Sequence, residues 1–304
     1  MTNEQRLKNI SVPNGPVDVV LDTDAYNEID DQFAIAYLLS CKEKLNTKAI
    51  YAAPFFNSNS SGAADGMEKS YDEILKLCSM MNESVDTFKG SNAFLSDENT
   101  PIESSAAFDL VQRAKQYSPE NPLYVVAIGA ITNIASAILL DRSLVENIVV
   151  VWLGGHALHC HDTKEFNMVH DIAAARVVMG SGVPFVQLPC RGVVSSFTIS
   201  KPELEFWLEG KNEIADYLAK NTIKAADSYA LNTAWTRCIW DVTAVAWLMN
   251  DENRFMYSQV LPLRLPDYTG HYESAETEIP FRYVNNIKRD ALMDDMIKRI
   301  LARQ

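Results

Sequence analysis

Long apolar runs are missing from this chain. Nothing in its 304 residues approaches the roughly 18–20 consecutive apolar residues that a membrane span requires. The opening MTNEQRLKNI has no hydrophobic segment like that of a signal peptide. Paired cysteines are missing as well. Cys41, Cys78, Cys160, Cys190 and Cys238 form an odd set without a CxxC, which points to neither a disulfide framework nor a zinc ribbon and is simplest in a reduced, cytoplasmic compartment. Positive charge is scarce: 27 Lys and Arg face 40 Asp and Glu, a formal net charge of −13. That balance argues against nucleic acid, whose phosphates need Lys and Arg, and against anionic lipid. The partner such a chain attracts is a cation.

No Ser/Gly-rich linker, low-complexity tract or internal repeat divides the chain, so a single domain over 1–304 is expected, with 47% hydrophobic residues to supply its core. Short runs rich in Val and Ile alternate with longer amphipathic stretches. Val17 to Leu21, Ala49 to Ala53, Leu123 to Ile128, Ile148 to Leu153 and Pro184 to Leu188 read as strands buried on both faces, the habit of a parallel sheet. Asp31 to Ser40, Gly66 to Met81, Ser104 to Tyr117, Asn133 to Leu140 and Asp171 to Gly180 read as the helices between them. The alternation predicts an α/β fold: an open, mostly parallel sheet with helices on both faces. After Leu188 come helical segments over Pro202 to Leu208, Glu213 to Leu231, Trp240 to Met249 and Ala291 to Ala302, interrupted by a strand near Val260 to Leu265. They form an additional helical C-terminal layer.

In such a sheet, ligands gather at the carboxyl ends of strands. There the sequence reads VVLDTDAYNEIDDQFAIAYLL: a strand ending in Asp22-Thr23-Asp24, a loop, then Asp30-Asp31 opening a helix. Any one of these aspartates has an ordinary explanation. Asp30 and Asp31 complement a helix macrodipole, worth about 0.3–1 kcal/mol each, and Asp22 and Asp24 brace a turn. Four within ten residues repel one another unless a cation sits among them. Oxygen ligands without nearby His or Cys suit a hard ion, Ca²⁺ or Mg²⁺.

These residues resemble the N-terminal DxDxxxDD signature of the nucleoside hydrolases, the inosine-uridine-preferring type and its relatives. Three further segments agree in order. Gly129-Ala130-Ile131-Thr132-Asn133-Ile134-Ala135 is similar to the family's G-P-L-T-N-I-A. Leu153-Gly154-Gly155, Glu165-Phe166-Asn167 and Asp171-Ile172-Ala173-Ala174 resemble M-G-G…E-F-N…D-P-E-A-A. Asp241-Val242-Thr243-Ala244-Val245-Ala246 resembles D-P-x-A-V-A. The resemblance implies one Ca²⁺ held by Asp24, Asp31, Asp241 and the main-chain carbonyl of Ile128, with Asp24 as general base on a calcium-bound water. It implies that Asp30, Glu165 and Asn167 hold ribose hydroxyls, with Asn57 a further sugar contact. The implied reaction is hydrolysis of a nucleoside's N-glycosidic bond to ribose and free base, in a homodimer or homotetramer. The chemistry is coherent, because carboxylates stabilise an oxocarbenium-like transition state and a carboxylate base accepts the proton of an attacking water.

The chain also departs from the family. Its loop Ala25–Ile29 is two residues longer and lacks the usual Pro and Gly; Asn27 and Glu28 either approach the substrate or belong to a solvated loop. Before the C-terminal Asp, many members carry a His that protonates the departing base, and here stands Trp240. Trp240 either stacks on a purine or packs in the core. The stretch His156-Ala157-Leu158-His159-Cys160-His161 admits three readings: a transition-metal site, a leaving-group or sugar contact from His156, His159 or His161, or ordinary loop histidines. Two alternatives to plain nucleoside hydrolysis stay open: a modified ribosyl substrate, and a calcium-dependent nucleoside-binding protein that has lost turnover.

Overall fold

Strand β4 (Leu123–Ala127) shows why near-continuous apolar sequence folds here as a strand. Tyr124 and Val126 enter the core on one face of the sheet, while Leu123, Val125 and Ala127 enter the core on the other. Both sides are covered, so neither can be polar. The computed structural model describes residues 1–303; Gln304, the last residue of the expected domain, lies outside the described residues. The other strands are β1 (Val17–Thr23), β2 (Leu45–Ala52), β3 (Asp86–Lys89), β5 (Ile148–Leu153), β6 (Phe185–Leu188), β7 (Thr198–Ser200), β8 (Thr236–Cys238), β9 (Met256–Pro262) and β10 (Pro280–Ile287). The helices are α1 (Asn3–Asn9), α2 (Asp31–Ser40), α3 (Ala63–Met80), α4 (Ser105–Ala114), α5 (Thr132–Leu140), α6 (Phe166–His170), α7 (Ile172–Gly180), α8 (Lys201–Trp207), α9 (Glu213–Ala230), α10 (Val242–Leu248) and α11 (Arg289–Leu301).

Eight strands form one sheet in the order β3-β2-β1-β4-β5-β6-β10-β9, parallel throughout except where β9 runs antiparallel to β10. The order turns back between β1 and β4, and that crevice is where such sheets hold ligands. On one face α4, α5 and α7 pack around Trp152 and Phe185. On the other, α2, α10 and α11 pack around Phe33, Tyr37 and Trp247, with α8 and α9 joining that core through Leu204 and Leu218. The mostly parallel sheet with helices on both faces agrees with the expectation from sequence.

Several elements differ from it, among them β3, which the expectation from sequence did not include. The strand expected near Val260 to Leu265 starts earlier, at Met256. β10 was not anticipated: its sequence PFRYVNNI mixes Arg282, Asn285 and Asn286 among its apolar residues. β7 and β8, with α8 and α9 between them in the chain, form a separate two-stranded antiparallel pair outside the main sheet.

Candidate active site

Two helix starts and one strand end deliver the acidic groups to one place. β1 leads into Asp24; Asp30 caps α2 and Asp31 is its first residue; Asp241 caps α10. Donor oxygens of Asp30, Asp31 and Asp241 all lie within 4.8 Å of one another, and all three residues are buried. Asp24 joins them electrostatically: its charge acts on Asp241, and those of Asp31 and Asp30 act on it. Ionised neighbours at the 4.8 Å limit repel by about 3 kcal/mol for an effective dielectric near 20. That exceeds the gain from any helix dipole, so the cluster needs protons or a cation.

Burial, reinforced by the neighbouring charges, holds Asp24, Asp30 and Asp241 well above the usual carboxylate range. Burial pushes Asp31 up to about 7, against the opposing hydrogen bond from the Thr23 hydroxyl to its Oδ1. Asp22 is also lifted to about 7 by burial, offset in part by the Asn133 amide. Both Oδ1 and Oδ2 of Asp24, and Oδ2 of Asp22, are buried without a hydrogen-bond partner. Buried carboxylate oxygens left unpartnered are costly. With an all-oxygen donor set around them, they fit a hard divalent cation. Room for Asp24 depends on Gly129, where an added Cβ would fall 3.0 Å from Asp24 Oδ1 and 3.1 Å from the Ala53 Cβ.

The sugar-binding candidates stand beside this cluster. Glu165 caps α6 and accepts N–H bonds from Gly155 at 2.8 Å, Asn167 at 2.8 Å and Met168 at 3.1 Å; burial nevertheless lifts it to about 7. The Asn167 amide nitrogen donates to the carbonyls of Ile128 and Leu153, both at 3.0 Å. Its protons therefore clamp the ends of β4 and β5, and its Oδ1 remains to accept from a ligand. Asp30, Ile128, Glu165, Asn167, Trp240 and Asp241 share one cavity of about 40 Å³.

Asn27 and Glu28 line the same cavity, so the long loop is part of the site. Ala25 and Asn27 are buried. Asn57 does not line the cavity; its amide nitrogen donates to Asn27 Oδ1 at 2.6 Å, which makes it a support for the loop. His156, His159 and His161 also lie outside the cavity lining. His156 is buried and its Nδ1 accepts from the Arg191 N–H at 3.4 Å, His159 abuts Gly192, and His161 packs edge-on against His271 at 5.6 Å. Among the described residues, the one group of three or more His, Cys, Asp or Glu whose donor atoms converge as a metal site would is Asp30, Asp31 and Asp241. The His-rich loop assembles no such group.

Two supporting residues went unassigned from sequence. Asn133 binds Asp22 and the Ala52 carbonyl through its amide nitrogen and accepts the Ser91 N–H at 2.7 Å, tying together the ends of β1 and β2 and the loop after β3. Its place within the GAITNIA segment was the available signal. Arg237, on β8, pairs with Glu28. No local pattern marked it.

Fold and site together define an α/β protein whose sheet carries an all-oxygen, carboxylate-built centre at the turning point of its strand order. Residues 19–285 match the family model described as inosine-uridine preferring nucleoside hydrolase, and the chain belongs to that family. A stretch of 135 residues is 29% identical to a probable uridine nucleosidase 2 of Arabidopsis thaliana, covering 43% of this chain and 41% of that relative's length. Among solved structures, a purine-preferring ribonucleoside hydrolase from Gardnerella vaginalis superposes with a TM-score of 0.74 at 19% identity, over 94% of this chain and 98% of that one. A plant nucleoside hydrolase gives 0.74 at 17% identity, over 94% and 99% of the two chains. An inosine-guanosine nucleoside hydrolase gives 0.75 at 14% identity, over 95% and 99%. At these identities the superpositions establish the shared fold.

Proposed function

We propose that the chain hydrolyses the N-glycosidic bond of a ribonucleoside, giving ribose and free base, in a reaction that depends on Ca²⁺. The observation that carries this reading is the meeting, in one cavity, of clustered buried carboxylates with hydroxyl-binding groups. Asp24, Asp31, Asp241 and the Ile128 carbonyl would hold the ion. When bound, the ion neutralises the cluster and acidifies a water. Asp24, with no hydrogen-bond donor of its own, accepts the proton from the attacking water. Asp30, Glu165 and the Asn167 Oδ1 orient the ribose hydroxyls, and the charge of the carboxylates, when ionised, favours the oxocarbenium-like transition state. Trp240, at the cavity wall, offers a face on which the base stacks.

The reading takes the chain as one such unit, acting as a homodimer or homotetramer in cytoplasmic nucleoside salvage. Its five free cysteines suit a reducing compartment, and among the described residues no helix is long and apolar enough to cross a membrane. Reducing-sugar release from a panel of purine, pyrimidine and modified nucleosides, with and without a calcium chelator, tests it. Chelator-sensitive release from common nucleosides supports the reading. Release from modified nucleosides alone shifts the substrate class, and ligand-induced thermal stabilisation without release identifies a binding protein.

A further inference from the structure

Strand β6 is buried along its whole length, yet its third residue is the amide Gln187. A fully buried polar side chain is unfavourable unless it is hydrogen-bonded. Gln187 Nε2 donates to the Gly154 carbonyl at 2.9 Å and to the Tyr272 hydroxyl oxygen at 2.7 Å, while its Oε1 is buried with no donor. The Tyr272 O–H donates onward to the His156 carbonyl at 3.2 Å. Tyr272 belongs to the 263–279 segment that joins β9 to β10, and the Thr163 N–H bonds the Gly270 carbonyl of that segment at 2.8 Å. No step of the proposed reaction uses Gln187, Tyr272 or this segment.

The peptide group between Gly154 and Gly155 connects them to the site. A trans peptide is planar, so its C=O and N–H point opposite ways and turn together. Here Gln187 holds the carbonyl end, and the N–H end donates to Glu165 Oε2 at 2.8 Å. The next peptide is fixed separately: the Cys190 N–H bonds the Gly155 carbonyl at 2.8 Å, and the His156 N–H bonds Thr163 Oγ1 at 3.1 Å. Gly155 has φ +75°, and a Cβ there would fall 2.5 Å from the Tyr272 hydroxyl and 2.6 Å from Thr163 Oγ1, so this packing requires glycine. Glu165 also accepts from Asn167 and Met168, but those N–H groups belong to its own helix and move with it. The Gly155 bond ties the carboxylate to the end of β5. An amide keeps nearly the same shape with its oxygen and nitrogen exchanged. The two acceptors facing Nε2, the Gly154 carbonyl and the Tyr272 hydroxyl, are what select the orientation of Gln187.

We propose that Tyr272 and Gln187 are positioning residues for Glu165: the Tyr272 hydroxyl fixes the Gln187 amide, the amide fixes the Gly154–Gly155 peptide, and the Gly155 N–H aims the Glu165 carboxylate at the ribose. The proposal rests on the reading of Glu165 as a ribose-binding group of a nucleoside hydrolase. Tyr272→Phe removes one hydroxyl and keeps the ring. It lowers kcat/KM per folded molecule by about 3- to 10-fold, the range of one hydrogen bond, chiefly by raising KM. The substrate is whichever of inosine, adenosine and uridine the wild type cleaves best. The variant also speeds hydrogen exchange of the Gly155 amide in the protein without nucleoside, with exchange in β4 and β5 unchanged. Gln187→Met, which fills the space without a donor, gives both effects at least as strongly. Because the two residues act in series, the double variant loses no more than Gln187→Met alone. Tyr283→Phe is the control: it removes a hydroxyl that accepts the Leu158 N–H at 3.1 Å in the same loop, and it leaves KM and the Gly155 exchange as in the wild type. Unchanged Gly155 exchange in Tyr272→Phe, losses that multiply in the double variant, or an equal rise in KM in Tyr283→Phe overturns the proposal. If the wild type releases base from no nucleoside, the hydrolase reading fails by itself, and Gly155 exchange in the same variants still decides whether Tyr272 acts through Gln187 on the bond to Glu165.

Discussion

The Asn133 amide nitrogen donates to Asp22 Oδ1 at 2.7 Å, inside a region where neither residue reaches solvent. One side chain thereby compensates a buried carboxylate, holds the Ala52 carbonyl at 3.2 Å and accepts the Ser91 N–H. Asn133→Ala strips three groups of their partner at once. Leaving buried polar groups unsatisfied costs about 1–3 kcal/mol each, so the variant loses about 3 kcal/mol or more in urea unfolding. A loss below about 1 kcal/mol, within the ordinary range for one hydrogen bond, would show that water replaces the amide.

Asp24→Asn separates the proton-accepting role from a structural one. Removing a positioned general base costs about 10²–10⁴-fold in kcat. The metal-free variant melts at the same temperature or higher, because one member of a mutually repelling buried set has lost its charge. Retained turnover in a folded variant would refute the assignment of Asp24.

The raised carboxylates fix the sign of the pH dependence. Asp22, Asp31 and Glu165 are lifted to about 7 in the folded protein, from ordinary values of 3.8, 3.8 and 4.5. Between those limits the folded state binds more protons than the unfolded chain, so metal-free stability falls as pH rises from about 4 to about 7. A cation binding the ionised cluster reverses the trend. Melting curves in chelator should drop across that window, and added Ca²⁺ should raise Tm more at pH 7.5 than at pH 5. A cation effect equal at both pH values would count against the cluster as its site.

Trp240 lines the cavity and also packs against the core through its partly buried ring. Trp240→Ala should therefore lower stability modestly while lowering kcat/KM on purine nucleosides by about 5- to 100-fold, the range of about 1–3 kcal/mol per stacked base. Turnover per folded molecule that does not change would reduce Trp240 to a packing residue.

Legibility from sequence followed the range of the interactions. β1, β4 and β5 could be read because both faces of each are buried, which forces near-continuous apolar sequence. β3 and β10 could not: Asp86 and Lys89 are exposed at the sheet's edge, and β10 carries exposed Asn285 and Asn286 among its apolar residues. The acidic centre was visible because four of its aspartates lie within ten residues, and Asp241 came with a recognisable segment. The long loop was ambiguous for the opposite reason. Asn27 and Glu28 take their places from Asn57, Asn59, Gln32 and Arg237, and the last stands 209 positions away from Glu28. No pattern local to Ala25–Ile29 encodes those partners.

The turn-back of strand order between β1 and β4 also divides what can vary from what cannot. Asp24 and Ile128 follow β1 and β4, which are buried where they reach the site and face a core on either side, so they move only if the two cores move. Glu28 belongs to the Ala25–Ile29 loop, which could lengthen, shorten or change charge while every strand keeps its register. A chain built this way can retune which molecule it admits by editing its roof, with its foundations left standing.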